Sequence, residues 1–332
     1  MNLLRSFTLA CAFSACLWAA SKPLEVYFID VEGGQATLLV TPSKQSILID
    51  TGWPGNSNRD ADRIAKAAKS AGVKAIDYLI ITHFHMDHVG GVPQLVAKLP
   101  VKTFVDHGEN REKGRQADQL YSDYMEAVSK GKRLTVKPGD KLPLKDVEIE
   151  VVSADGQTIQ GSGPANSACS GAQYPEDPSE NARSTGVRIK YGKFRMLDLG
   201  DLTSRKELDL VCPANKLGTF DVYVTTHHGL DASNAKEIVY AVQPRVAVMN
   251  NGAKKGGTPA AWKIIKSSPG LEDLWQIHYS VAGRSEANSP EPFIANLDEQ
   301  CQGQYLKLDA HDDGSFTITN SRNKYNKSYA AR

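Results

Sequence analysis

Apolar and polar positions divide this chain into short strand-like runs and segments of helical spacing. Residues 25–29, 36–40 and 46–49 are compact apolar runs separated by Gly33-Gly34 and Thr41-Pro42-Ser43-Lys44, so they read as strands joined by turns. Residues 58–71 carry alanines and charges at helical spacing, and Gly72 stops them. The wholly apolar run 78–81 reads as a buried strand, followed by a helix at 92–99, a strand at 101–105 and a helix at 116–130 ending at Gly131. Further strands are predicted at 147–152, 186–191, 194–197, 221–225 and 245–249, with helices at 204–211, 234–242 and 258–267. Residues 305–309 and 315–319 read as a closing hairpin around Asp312-Asp313-Gly314. The stretch 156–182, rich in Ser, Pro and Gly, is the longest candidate loop, either a flap or a surface excursion. Two similar halves of alternating strands and helices predict an α/β protein of two mixed sheets packed face to face with helices outside, a four-layer αββα domain over 21–332.

Residues 1–20 interrupt this pattern. A single early cation, Arg5, precedes an apolar run from Phe7 to Ala20 that lacks charge and ends in small residues. The run is shorter than the roughly 20 residues a spanning helix needs, so it reads as a signal peptide cut near Ala19 or Ala20, which implies a periplasmic or extracellular protein. Cys16 sits in a poor match to a lipobox and offers a lipoprotein anchor as the weaker reading. The whole chain has 39 Lys+Arg against 38 Asp+Glu, and removal of Arg5 leaves 38 of each, a formal charge of zero. That balance argues against a basic nucleic-acid-binding surface, and 41% hydrophobic residues exclude a disordered chain. Cys169, Cys212 and Cys301 remain after cleavage, allowing one disulfide in any of three pairings; no Cys-x-x-Cys pair suggests a thiolate zinc site.

The chemistry concentrates in Thr82-His83-Phe84-His85-Met86-Asp87-His88-Val89-Gly90-Gly91, which holds three of the eight histidines directly after a buried strand. Imidazole and carboxylate are natural ligands of zinc and similar divalent ions, and a loop at a strand end can fold several of them onto one point. His107 follows another strand and is a further candidate, as is His278; His311 reads as surface. Lys254-Lys255 could meet an anionic substrate, although a solvated loop is the plainer reading.

The His83–His88 segment resembles the signature of the metallo-β-lactamase superfamily, and further segments resemble that family's elements in its order. Ile47-Leu48-Ile49-Asp50-Thr51-Gly52 is similar to the strand and turn whose aspartate supports the metal-binding loop from behind. Met196-Leu197-Asp198-Leu199-Gly200-Asp201 is similar to the strand ending in the metal-bridging aspartate, and Val224-Thr225-Thr226-His227-His228-Gly229 to the strand delivering the last histidine. Phe28-Ile29-Asp30-Val31-Glu32-Gly33-Gly34-Gln35-Ala36 and Asn181-Ala182-Arg183-Ser184 resemble the corresponding domains of DNA-uptake channel proteins. The resemblance implies one site of His83, His85 and Asp201 and another of Asp87, His88, His227 and the same Asp201. His228 is the alternative to His227, which is preferred because it ends the strand directly. The chain departs from the pattern in having no histidine between His107 and His227, so the first site lacks an imidazole that Asn181 or water would replace. Asp198 is either an outer carboxylate, an extra ligand or a hydrogen-bonded structural group.

These expectations point to one or two divalent ions, zinc first and manganese second, with Asp87 orienting a water and taking its proton. The substrate class expected is a phosphodiester or another small molecule, with nucleic acid favoured by the DNA-uptake resemblance and disfavoured by the neutral charge. A β-lactamase or lactonase acting on cyclic amides or esters is the alternative, and a binding protein with a degenerate site is the third. No G-x-S-x-G or Walker-type segment suggests other chemistry.

Overall fold

The computed structural model describes residues 22–169, 171 and 173–332. The expected leader, 1–20, and its Cys16 lie outside them. Sheet one contains β1 (Leu24–Phe28), β2 (Thr37–Val40), β3 (Ser46–Ile49), β4 (Ile76–Ile80), β5 (Val101–Asp106) and β6 (Lys132–Thr135). Sheet two contains β7 (Glu148–Ala154), β8 (Gln157–Thr158), β9 (Gly186–Tyr191), β10 (Phe194–Asp198), β11 (Val222–Val224), β12 (Val246–Met249), β13 (Asp273–His278) and β14 (Ile294–Asn296). The chain then returns to sheet one as β15 (Leu306–Ala310), β16 (Phe316–Asn320) and β17 (Asn326–Tyr329). Sheet one runs β17-β16-β15-β1-β2-β3-β4-β5-β6 and sheet two runs β14-β13-β12-β11-β10-β9-β7-β8.

Both sheets change from antiparallel to parallel pairing partway across. In sheet one β2–β3 is antiparallel and β3–β4–β5–β6 parallel. In sheet two β9–β10 is antiparallel and β10–β11–β12–β13–β14 parallel. The inner parallel strands β3 and β4 are largely buried, which is why 46–49 and 78–81 read as unbroken apolar runs rather than alternating ones. Alternate residues nevertheless serve different layers: Ile47 and Ile49 join the core between the sheets, whereas Leu48 faces the helices.

The outer layers follow the same logic. Helices α1 (Arg59–Ser70), α2 (Met86–Val89), α3 (Val92–Val96) and α4 (Arg115–Val128) belong to the first half of the chain. From α1, Ala61, Ile64, Ala67 and Ala68 project at i, i+3, i+6, i+7 onto sheet one. Helices α5 (Ser204–Val211), α6 (Lys236–Val242) and α7 (Pro259–Lys266) cover sheet two through Leu210, Ile238, Val239, Val242 and Ile265. The predicted four-layer αββα arrangement is therefore the observed one. The sequence reading missed β6, β8, β13, β14 and β17, which are short, edge-lying or interrupted by polar residues. The long loop 156–182 is tethered, because Cys169 pairs with Cys212 at the end of α5 and leaves Cys301 free. Among the described residues no helix is long and apolar enough to cross a membrane.

Candidate metal centre

The parallel strands of both sheets end at one edge, and the loops leaving those ends carry the site. β3 delivers Asp50, β4 delivers Thr82 and His83, β10 delivers Gly200 and Asp201, and β11 delivers a single tight turn, Thr226–Gly229. Gly200, at φ +57°, has no room for a side chain, since a Cβ there would lie 2.8 Å from that of Thr82. The turn holding the histidine pair is strained: His227 and His228 have φ of 54° and 55°, in the left-handed region. It is held from three sides, by His227 N–H donating to Gly200 O at 2.9 Å, Gly257 N–H to His228 O at 2.9 Å and Thr258 N–H to Gly229 O at 3.0 Å.

Asp201 is the hub of the site. Its Oδ2 lies 3.2 Å from His88 Nε2, 3.2 Å from His228 Nε2, 3.5 Å from His227 Nε2 and 3.9 Å from His83 Nε2. Asp87 Oδ2 stands 3.2 Å from both His88 Nε2 and His228 Nε2, and those two nitrogens are 3.2 Å apart. Asp87, His88, Asp201 and His228 thus form a closed, buried group of four donors. Donors bonded to one tetrahedral zinc at ~2.1 Å lie ~3.4 Å from one another, so these spacings fit a divalent ion. Two further buried atoms without a partner, His83 Nε2 and Asp201 Oδ1, fit it as well. The expected set changes in one respect: His228, rather than His227, closes the four-donor group, because the left-handed turn swings the second imidazole inward. His227 approaches Asp201 separately and remains partly exposed.

Electrostatics are arranged for a cation. Burial disfavours a charged His88, but Asp201, Asp87 and Asp50 outweigh it and hold the ring well above its usual pKa in the metal-free protein. Burial also opposes ionisation of Asp87 and Asp201, yet His88 and His228 keep both carboxyls well below their usual range. His83 is held well below its usual value by burial, so its ring is neutral and free to accept a metal bond. Behind His88, Asp50 Oδ2 accepts from Nδ1 at 2.7 Å and from Thr82 Oγ1 at 2.7 Å, while its Oδ1 accepts from Thr82 N–H at 2.8 Å.

The other sequence candidates fall around this centre. His85 is partly exposed and pairs with Glu112 at 3.0 Å. Asn181 has a buried Oδ1 without a partner. Its turn abuts the site, since Ser184 Oγ accepts from Asp201 N–H at 3.2 Å and Thr185 N–H donates to Thr82 O at 2.8 Å. Asp198 is a hydrogen-bonded group outside the four donors, with both oxygens taken by Gln35 Nε2 at 3.0 and 2.8 Å and its pKa raised by burial to about 6. His107 faces Glu180 at 2.9 Å and packs on Phe84, and His278 pairs with Asp30 at 2.9 Å.

Lys255 reaches the centre from the loop after β12. Its ammonium pairs with Asp87 and lies 5.0 Å over the Trp53 ring. The signal lay in the following Gly256-Gly257, because a Cβ on Gly256 would stand 2.2 Å from His228 O: this loop must touch the histidine turn. The Phe28–Ala36 segment also acts here, since Gln35 N–H donates to Asp87 O at 3.2 Å and a Cβ on Gly34 would meet that oxygen at 2.4 Å. A cleft of about 470 Å³ lined by His85, Asp87, Glu112, Lys113 and Arg115 opens beside the centre. A larger one of about 980 Å³, lined by Lys137, Glu150, Arg188 and Lys216, contains none of the donor group.

Comparison with known proteins agrees with this geometry. Residues 29–173 match the metallo-β-lactamase superfamily. The chain is 25% identical over 243 residues to ComE operon protein 3 of Bacillus subtilis (strain 168), covering 69% of this chain and 28% of that protein. It is 27% identical over 236 residues to the UPF0173 protein PYRAB01190 of Pyrococcus abyssi, covering 69% of this chain and 86% of that protein. Among solved structures, the metallo-β-lactamase fold protein YhfI from Bacillus subtilis aligns with a TM-score of 0.46 and 14% identity, over 77% of this chain and 96% of its own. The likeness to the metallo-β-lactamase superfamily is carried by residues 29–173, and the chain spans 28% of the length of ComE operon protein 3.

Proposed function

We propose that the protein is a metal-dependent hydrolase acting on phosphodiesters, nucleic acid among them. The observation that favours the substrate class is a set of cations at the donor group: Lys255 pairs with Asp87, and Lys113 and Arg115 line the adjoining cleft together with Glu112. Anionic substrates are drawn to such a site even in a chain of near-zero net charge. The resemblance of 28–36 and 181–184 to DNA-uptake channel domains supports the same class.

Asp87, His88, Asp201 and His228 would hold one ion, zinc or manganese. His83 and His85 would hold a second beside Asp201, and His227, 3.5 Å from Asp201, would supply the third imidazole. A bound ion lowers the pKa of a water to near neutrality and stabilises charge developing on the scissile group. Asp50 fixes the His88 ring so that Nε2 faces the donors. Asp87 would orient the attacking water and accept its proton, and Lys255, beside it, would take a negative phosphoryl oxygen. Export is supported by the leader-like 1–20 and by the Cys169–Cys212 disulfide, which suits an oxidising compartment.

The test is turnover of bis-p-nitrophenyl phosphate and DNA, against nitrocefin and a lactone panel, each with added zinc or manganese. Phosphodiester turnover that disappears in Asp87→Ala is expected. Nitrocefin or lactone turnover without phosphodiester turnover overturns the substrate class, and inactivity on all four with no bound metal overturns the hydrolase reading.

A further inference from the structure

A second group of donor side chains closes where β1 ends. Asp30 follows β1 and Glu32 comes two residues later; His278 ends β13 of the other sheet, and Cys301 lies between β14 and β15. One ligand atom from each of the four lies within 4.8 Å of the others. Asp30 and His278 are fully buried. His278 Nε2 stands 2.9 Å from Asp30 Oδ1, 3.4 Å from Glu32 Oε2 and 3.9 Å from Cys301 Sγ. Cys301 Sγ is 3.0 Å from Asp30 Oδ2 and 3.3 Å from Glu32 Oε1.

Arg63 is the competing cation, and it touches Asp30, Glu32 and also Cys301, whose Sγ lies 3.4 Å from its Nη2. Its Nη1 binds Asp30 Oδ2 at 2.7 Å and Glu32 Oε1 at 3.1 Å, the oxygens that His278 does not face. Each carboxylate therefore presents one oxygen to His278 and the other to both Arg63 and Cys301, so an ion entering here would displace Arg63 from the Cys301 side. Burial and the neighbouring Asp30 push the free thiol up to about 12, so a bound cation is what would make it a thiolate at neutral pH.

We propose that Asp30, Glu32, His278 and Cys301 form a separate structural site for a zinc-class divalent ion. Mixed nitrogen, sulfur and oxygen donors with no open position suit zinc in a structural role. The ion would pin the end of β1 in one sheet to the end of β13 in the other, and would clamp the segment carrying Cys301 over both. It would also brace the turn whose Gly33-Gly34 lies against Lys255 and Asp87. The inference does not depend on hydrolysis, since nothing in it uses the Asp201 centre.

The test is cobalt(II) titration of the full chain under anaerobic, non-reducing conditions. Cys169 and Cys212 are silent as a disulfide, and Cys301 is the free cysteine among the described residues. The expected result is a near-ultraviolet sulfur-to-cobalt charge-transfer band that persists in Asp201→Ala, vanishes in Cys301→Ser and weakens at least severalfold in His278→Gln. Elemental analysis should then show one bound metal fewer in Cys301→Ser, with an unchanged far-ultraviolet circular dichroism spectrum. A cobalt-loaded wild-type protein without the band, or a band that survives Cys301→Ser, overturns the proposal and leaves Arg63 as the cluster's counter-ion.

Discussion

Asp50 Oδ2 lies 2.7 Å from His88 Nδ1, and this buried contact decides which nitrogen of the ring faces Asp87, Asp201 and His228. Asp50 itself sits at φ +60°, a conformation that Asn tolerates well. Asp50→Asn should therefore keep the backbone while removing the charge behind the ring and placing an amide against a donor. Metal affinity should fall about 10- to 100-fold. Competition with a chromogenic chelator reads it directly; unchanged affinity would show that the ring is oriented by packing alone.

The histidine pair gives a second prediction. His228→Ala removes a member of the closed four-donor group, and His227→Ala removes only the imidazole 3.5 Å from Asp201. Elemental analysis should find the metal of that group lost in His228→Ala and kept in His227→Ala, which loses only the second ion. The reverse pattern would restore the assignment read from the sequence.

Of the histidine pair, the residue that closes the four-donor group is not the one that ends the strand directly. The His83–Asp87–His88 spacing, Asp50 and Gly200-Asp201 were all legible, because donors at strand ends are positioned by the strands themselves. A ligand in a left-handed turn is not, since the turn's direction depends on contacts with Gly200 and Gly257, far away in the chain. The same limit hid Lys255, which reaches Asp87 across 168 residues, and Glu112 and Glu180, which pair with His85 and His107. Strand existence was legible where a buried strand is unbroken by polar residues, as at β3, and not where Gln276 and His278 interrupt β13. It failed at β6, where Lys132–Thr135 is largely exposed at a sheet edge.

Lys255→Ala should separate binding from chemistry. Removing a charge-assisted contact to an anionic substrate costs about 1.5–3 kcal/mol, so KM for bis-p-nitrophenyl phosphate should rise at least about tenfold with a smaller change in kcat. Steady-state kinetics check this. An unchanged KM would remove the argument for an anionic substrate.

Gly34→Ala tests the brace between the first turn and the metal loop. A Cβ there would stand 2.4 Å from Asp87 O, a backbone atom that cannot move without displacing the loop. The expected loss is about 1–3 kcal/mol in stability, together with weaker metal binding. Denaturant melts and metal titration of the same sample show whether the two effects travel together.

The disulfide carries a stability prediction of its own. It closes a loop of sequence separation 43, for which chain-entropy arguments give about 4 kcal/mol and measured bridges about 2–4. The Cys169→Ala, Cys212→Ala double variant should be less stable by that amount, and thiol counting under denaturing conditions should find both thiols blocked in the wild type. Free thiols at both positions would refute the pairing.

Glu207 predicts a pH effect of definite sign. It is fully buried, with Oε1 accepting from Asn234 N–H at 3.0 Å and Oε2 from Ala235 N–H at 2.9 Å, next to the segment that supports the histidine turn. Burial raises its pKa from 4.5 to about 7, the two backbone donors only partly opposing that. A carboxyl whose folded pKa exceeds its unfolded value contributes stability that is complete below the unfolded value and is lost as pH rises through the folded one. Between pH 4.5 and about 7 this group should therefore destabilise the fold progressively, by at most about 3 kcal/mol. Denaturant unfolding of wild type and Glu207→Gln across pH 4.5–8 isolates the term, because other titrating groups are common to both. The amide cannot ionise, so the variant's stability should decline less over this window, whatever its absolute value. Parallel pH profiles would mean that Glu207 ionises in the folded protein as easily as in the unfolded chain.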